Sequence, residues 1–249
     1  MSRKVLILFL VVLLGYSAFV DFNREQGKGS GIAHAAEEPR GLLRIDDETK
    51  VVPPKAVDLT EEGVLDWANW GFGAKEWTDY SQYTHKAAVS PLIKLEPKVV
   101  IDKLKNGSDA RVYWSEEPTG NILHWTDGTP TKVVKELDAC IWMAGLGNGF
   151  RVSVPASTER RYLKLYLGAW EAEGELTASL SDKSAPVVTS TFKKAGTDYS
   201  ERNIRQYTLE FLAASEDATL TIDWLVSEVY DADGWGNVTL RAVTLSDKP

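Results

Sequence analysis

The chain has 249 residues, a formal net charge of −8, nine tryptophans and a single cysteine. Residues 1–36 carry Arg3, Lys4, Arg24 and Lys28 against Asp21 and Glu25, a net of +2, so the rest carries −8 minus +2, or −10. A body that acidic repels phosphate backbones and anionic lipid surfaces, which argues against nucleic acid as a partner, and one cysteine excludes an intrachain disulfide framework, so stability must come from one sizeable core.

At the N-terminus Ser2, Arg3 and Lys4 precede the apolar run Val5–Val20, interrupted only by Gly15, Tyr16 and Ser17. Basic then apolar is the order that the export machinery reads, so the chain is expected outside the cytoplasm. Sixteen residues is at the short end for a membrane-spanning helix, which needs about 17–25. Two outcomes stay open for residues 1–36: a signal anchor that inserts in the membrane with its basic end inside, or a signal peptide cut after Ala35, at Ala33-His34-Ala35. Residues 37–54, charged and ending in Val51-Val52-Pro53-Pro54, read as an extended, flexible spacer. The folded domain is therefore expected over 55–249.

Beyond Pro54 the chain offers short segments of period-two alternation separated by Gly, Pro, Asp and Asn clusters, the mark of antiparallel β structure. The less regular candidates come first: Leu65–Trp70, Arg111–Ser115, Ala139–Ala144 and Gly149–Val154. The clearest strand follows at Arg161–Trp170, where Leu163, Leu165 and Leu167 alternate with Tyr162, Lys164 and Tyr166. Leu176, Ala178 and Leu180 repeat the pattern, as do Tyr207, Leu209 and Phe211, then Leu220, Ile222 and Trp224. The last strand begins as Val238, Leu240, Ala242 and resumes as Val243, Leu245, a slip of one that predicts a β-bulge near Ala242. Some nine strands in one domain imply an all-β fold, an antiparallel β-sandwich of jelly-roll type, preceded by an N-terminal hydrophobic helix and a flexible linker. A barrel is the second architecture.

Several dense segments carry a resemblance. They are Asp58-Leu59-Thr60-Glu61-Glu62-Gly63 leading into Leu65–Gly71, His124-Trp125-Thr126-Asp127-Gly128-Thr129-Pro130, Gly147–Phe150, Leu167–Trp170, Leu180–Pro186 and Gly236–Leu240. Together, over roughly Val57 to Leu245, the chain resembles a β-sandwich module that recurs in secreted bacterial proteins. The resemblance implies a carbohydrate-binding or galactose-binding-like role, with polysaccharide or another glycan as partner, and assigns no ligand residues.

A sugar ring presents C–H groups that pack on an exposed indole while nearby polar side chains bind its hydroxyls. Trp70, Trp125 and Trp235 stand beside glycine and polar residues and are the expected loop-borne, accessible platforms, with Asp127 beside Trp125. Trp142 and Trp224 fall in apolar strand patterns and are assigned to the core; Cys140, in Ala139-Cys140-Ile141-Trp142, reads as a small buried side chain. Tyr230–Asn237 superficially resembles a calcium loop, but Trp235 and Ala242 stand where an EF-hand needs a ligand and a bidentate Glu. A structural calcium on Asp231 and Asp233 is the remaining metal reading, against a plain Asp-Gly turn. No other cofactor is expected.

A second function class is a polysaccharide hydrolase or lyase. Glycoside hydrolysis needs paired carboxylates across a cleft, and Asp66, Asp127, Glu171 and Glu173 lie near tryptophans. The chain has no Gly-x-Ser-x-Gly elbow, no His-Glu-x-x-His helix and no phosphate-cradling loop, and only His85 and His124 lie outside the export region. A third class is a structural or adhesive envelope domain in which the tryptophans are all buried.

Overall fold

A computed structural model describes residues 40–51, 56–73, 81–116, 122–194 and 204–249. The helix and linker expected over residues 1–36, the choice between anchor and cleavage, and Trp77 lie outside the described residues.

The described chain is all-β apart from one four-residue helix, α1 (Leu59–Glu62). Its strands, numbered along the chain, form three sheets. The largest contains β1 (Leu42–Val51), β3 (Asp66–Trp70), β4 (Tyr83–Lys86), β6 (Val112–Glu116), β8 (Gly128–Thr129), β10 (Ala139–Ala144), β12 (Arg161–Trp170), β15 (Ile204–Leu212) and β17 (Asn237–Ser246). The second contains β5 (Lys94–Lys98), β11 (Gly149–Ala156), β13 (Ala172–Leu180), β14 (Val188–Lys194) and β16 (Ala218–Val229). A small third sheet joins β2 (Val57–Asp58), β7 (Leu123–Trp125) and β9 (Val134–Leu137). Every pairing is antiparallel except that of β2 with β7.

The two large sheets face each other across one core. From the nine-stranded sheet come Leu163, Leu165 and Leu167, Tyr207, Leu209 and Phe211, and Val238, Leu240, Val243 and Leu245. The five-stranded sheet answers with Phe150, Val152 and Val154, Leu176 and Leu180, and Leu220, Ile222, Trp224 and Val226. These are the alternating residues of each strand, as burial of one face of a pleated sheet requires. Trp224, expected in the core, spans the two layers: its indole donates to the Thr239 carbonyl of β17 at 3.2 Å. Gly174 in the neighbouring strand leaves room for that ring, since a Cβ there would stand 2.2 Å from it. The antiparallel sandwich expected from sequence is thus the observed fold.

The slip near Ala242 is a bulge. Tyr166 pairs with Ala242 and Leu167 with Leu240, so Arg241 has no opposite number in β12. On its other edge β17 pairs with β10 through Asn237–Leu240 and with β3 through Ala242–Leu245. The sheet therefore forks at Arg241. The bulge sends Ala242 to the outer face, where it joins a second core under the small sheet with Trp67, Trp125, Tyr166, Leu59 and Leu123.

One segment differs from the sequence reading. Residues 37–54 were expected as a spacer, whereas Leu42–Val51 forms the edge strand β1, paired to β15 with Leu42 opposite Leu212. Leu43 is buried against the main core and Ile45 packs beside it, so the folded unit begins before Lys55. Two alternating apolar residues among Arg44, Asp46, Asp47 and Glu48 are enough to dock a strand once a sheet edge is present.

Candidate functional site

The motif around Trp125 builds a joint and not a platform. Trp125 is 0% exposed and Trp70 3%, so the accessibility expected of both is absent. Trp125 donates from Nε1 to the Thr131 carbonyl at 2.9 Å, closing its own turn, and its ring lies 5.2 Å from that of Trp67. Gly128 lets this turn close, because a Cβ there would stand 2.6 Å from the Trp125 Nε1. Trp70 stacks on Tyr83 at 6.2 Å within the main core. Glycine beside each tryptophan reflected close packing; it did not signal a loop open to solvent.

Asp127 sits at the centre of the same joint. It accepts from Thr60 Oγ1 at 2.7 Å, Trp67 Nε1 at 2.9 Å and Lys86 Nζ at 2.8 Å, tying α1, β3 and β4 together. Burial is the largest single influence on its carboxyl and pushes it up; the donors from Lys86, Thr60 and Trp67, with the Lys86 charge, outweigh it and hold Asp127 below the ordinary carboxylate range. Asp66, buried in β3, accepts from the backbone N–H of Trp67 at 2.8 Å, Leu92 at 2.7 Å and Ile93 at 3.1 Å. Two of the four acids considered for hydrolysis, Asp66 and Asp127, thus hold the fold. Glu173 accepts from Ser227 Oγ at 3.2 Å at the start of β13, and Glu171 occupies the turn between β12 and β13. His124 pairs with Asp58 at 3.2 Å, and the Nδ1 that such a pair leaves for chemistry is buried.

Aromatic surface gathers elsewhere, on the outer face of the nine-stranded sheet near its fork. Trp142 in β10 is directly opposite Tyr113 in the edge strand β6. Their rings stack at 4.4 Å with planes 20° apart. Trp235, from the loop before β17, stands edge-on to both, at 6.1 Å from Trp142 and 6.2 Å from Tyr113. All three are half-buried. Trp142 therefore departs from its core assignment: Ile141 and Met143 point inward, and the ring between them points out. Only the register of β6 against β10 brings Tyr113 to it, which no spacing along the chain reveals. By contrast the outer face of the five-stranded sheet carries Arg151, Ser153, Thr177, Thr221 and Asp223, with Arg151 and Asp223 in a two-bond ion pair at 2.7 and 2.6 Å.

The loop that presents Trp235 is shaped by Asp231. Its two carboxylate oxygens accept from the N–H of Trp235 and of Gly236, each at 2.7 Å, and Asn237 donates to the Trp235 carbonyl at 3.0 Å. Asp233 is exposed. Among the described residues no group of three or more His, Cys, Asp or Glu side chains is placed to hold a metal ion.

Beside the aromatic cluster lies a cavity of about 320 Å³. Ile101, Leu104 and Leu146 give it an apolar lining, Lys105, Ser227 and Glu228 a polar one, and Gly234 adjoins Trp235. Leu104 also packs in the small cluster to which Trp142 and Trp235 belong, so cavity and cluster share a wall. The buried Asn148 fixes this region: Oδ1 accepts from Val100 and Ile101 N–H at 2.7 and 3.0 Å, and Nδ2 donates to Ile101 and Ala144 carbonyls at 3.0 and 2.9 Å. All its bonding capacity is used.

No protein-family model matches the chain, and no curated protein does. Among solved structures it is similar to TmCBM61, solved in complex with β-1,4-galactotriose, at 7% identity and a TM-score of 0.35, over 63% of this chain and 88% of that one. The enzymatically active domain of tailspike protein 4 from bacteriophage CBA120 is matched at 9% identity and a TM-score of 0.34, over 62% of this chain and 19% of that one. The CBM22-1 xylan-binding domain from Paenibacillus barcinonensis is matched at 11% identity and a TM-score of 0.29, over 53% of this chain and 83% of that one. Likenesses this distant transfer neither ligand nor site residues to this chain.

Proposed function

We propose that the chain is a non-catalytic glycan-binding domain presented outside the cytoplasm, with the cluster of Tyr113, Trp142 and Trp235 as its contact surface. The observation that supports this reading is the convergence of three half-buried rings from two strands and a loop on one sheet face. Indole and phenol rings offer rigid area to the C–H faces of a sugar at little entropic cost. Asp109, beside Tyr113, is paired with Lys103 and Arg111, and Lys105 stands close by. The net charge of −10 beyond residue 36 favours neutral glycans over polyanionic ones.

The test is a titration of the full chain with soluble xylan, galactan, mannan and β-glucan, followed by tryptophan fluorescence and pull-down. Binding is expected to at least one of them, with Trp235→Ala and Trp142→Ala each weakening it roughly tenfold or more, the loss of one stacking contact of about 1.4 kcal/mol or above. Blank titrations across the panel would end this reading in favour of a structural envelope domain. Release of reducing ends would move it to the hydrolase class, and release of unsaturated ends to the lyase class.

A further inference from the structure

We infer that the cavity next to Trp235 takes the terminal residue of the glycan chain, so that the protein recognises chain ends; this rests on the glycan-binding reading and assigns a subsite to it. At about 320 Å³ the cavity is near the lower limit of small-ligand sites, about 300 Å³. It has room for a sugar-sized group and not for a length of polymer.

Its lining matches one sugar. Ile101, Leu104 and Leu146 offer apolar surface to the C–H groups of a ring, Lys105 offers donors to its hydroxyls, and Ser227 and Glu228, engaged with Glu173 and Tyr230, retain acceptor capacity. Four chain segments wall it, and the Gly145–Asn148 turn is tied to the other three. The Gly145–Asn148 turn is bonded to β16 through Gly147 N–H to the Val226 carbonyl and Val226 N–H to the Asn148 carbonyl, both at 2.8 Å. Asn148 bonds the same turn to the loop at Val100 and Ile101. Gly145 N–H reaches the Gly236 carbonyl at 3.4 Å, closing the turn on the segment that carries Trp235. These ties fix the walls at a size that one sugar residue fills. The aromatic cluster then contacts the sugars that follow the terminal one.

The four polysaccharides above are each cut by limited acid hydrolysis to raise the number of chain ends at equal mass, and saturation binding is measured for the full chain and for Leu146→Trp. Leu146 is 56% exposed, so a larger ring there is expected to obstruct the cavity without disturbing the fold. If the inference holds, the protein bound per unit mass rises in proportion to chain ends, and Leu146→Trp weakens binding tenfold or more. Capacity that stays constant per unit mass, with Leu146→Trp binding as the parent does, overturns end recognition while leaving the aromatic surface in place. Absence of binding to every form overturns both.

Discussion

At the scale of single residues the tryptophans sort by what surrounds each indole and not by the character of their sequence neighbours. Trp67, Trp70, Trp125 and Trp224 are buried, whereas Trp114, Trp142, Trp170 and Trp235 are half-buried. Trp125→Ala is therefore expected to cost about 3–5 kcal/mol in urea unfolding, the usual range for removing a large buried aromatic. Trp235→Ala should cost much less, and comparable losses at both positions would contradict this division. Asp127 leaves a signature in pH. Its folded-state carboxyl lies below its unfolded value of about 3.9, so the stability it contributes is present above that value and is lost as pH falls through the folded one. In Asp127→Asn, which keeps an oxygen for Thr60 and Trp67 but no charge for Lys86, the deficit in melting temperature should hold from neutral pH down to about 3.9 and shrink below it. A deficit independent of pH would show that the charge contributes nothing.

The element that organises the larger sheet is β17, which serves β12 on one edge and both β3 and β10 on the other. At the fork the buried Arg241 pairs with Asp138, the residue just before β10, and Asn69 of β3 donates to the Arg241 carbonyl at 2.8 Å. Asp138→Ala leaves a buried guanidinium without that carboxylate and is expected to destabilise by about 3–5 kcal/mol in chemical denaturation, whereas Asp138→Leu with Arg241→Met should recover most of it. The bulge itself was legible, because a shift of apolar phase at Val243 has few other causes. Long strands such as β12 and β16 were legible for the same reason: enough alternating residues accumulate to reveal a period. The small sheet was not, since β2, β7 and β9 have two to four residues each and their pairing is set by contacts between distant segments. The aromatic surface was hidden on similar grounds. Tyr113 and Trp142 meet through register, and Trp142 sits in a run apolar on both faces, so its outward turn leaves no mark in the pattern.

Across the whole folded unit, β1 closes the edge of the larger sheet over β15, with its first residues opposite the end of that strand. Removing residues 40–51 should strip hydrogen-exchange protection from the amides of β15 that bond to β1 and lower the melting temperature; unchanged exchange would mean that the pairing does not persist in solution. The position of β1 also orders the two ends of the sandwich. Leu42 lies beside Leu212, Phe211 beside Arg161, and Tyr162 beside Ser246, so the chain enters through β1 and leaves through β17 at one end of the sandwich. Trp170, Asn237 and Ala144 share the other end, where Trp235 and the cavity lie. β12 connects the two ends with ten residues, roughly 30 Å at about 3.3 Å per residue. The aromatic surface and the cavity therefore open at the end of the sandwich away from Leu42, so a ligand reaching them approaches without crossing the edge where β1 begins.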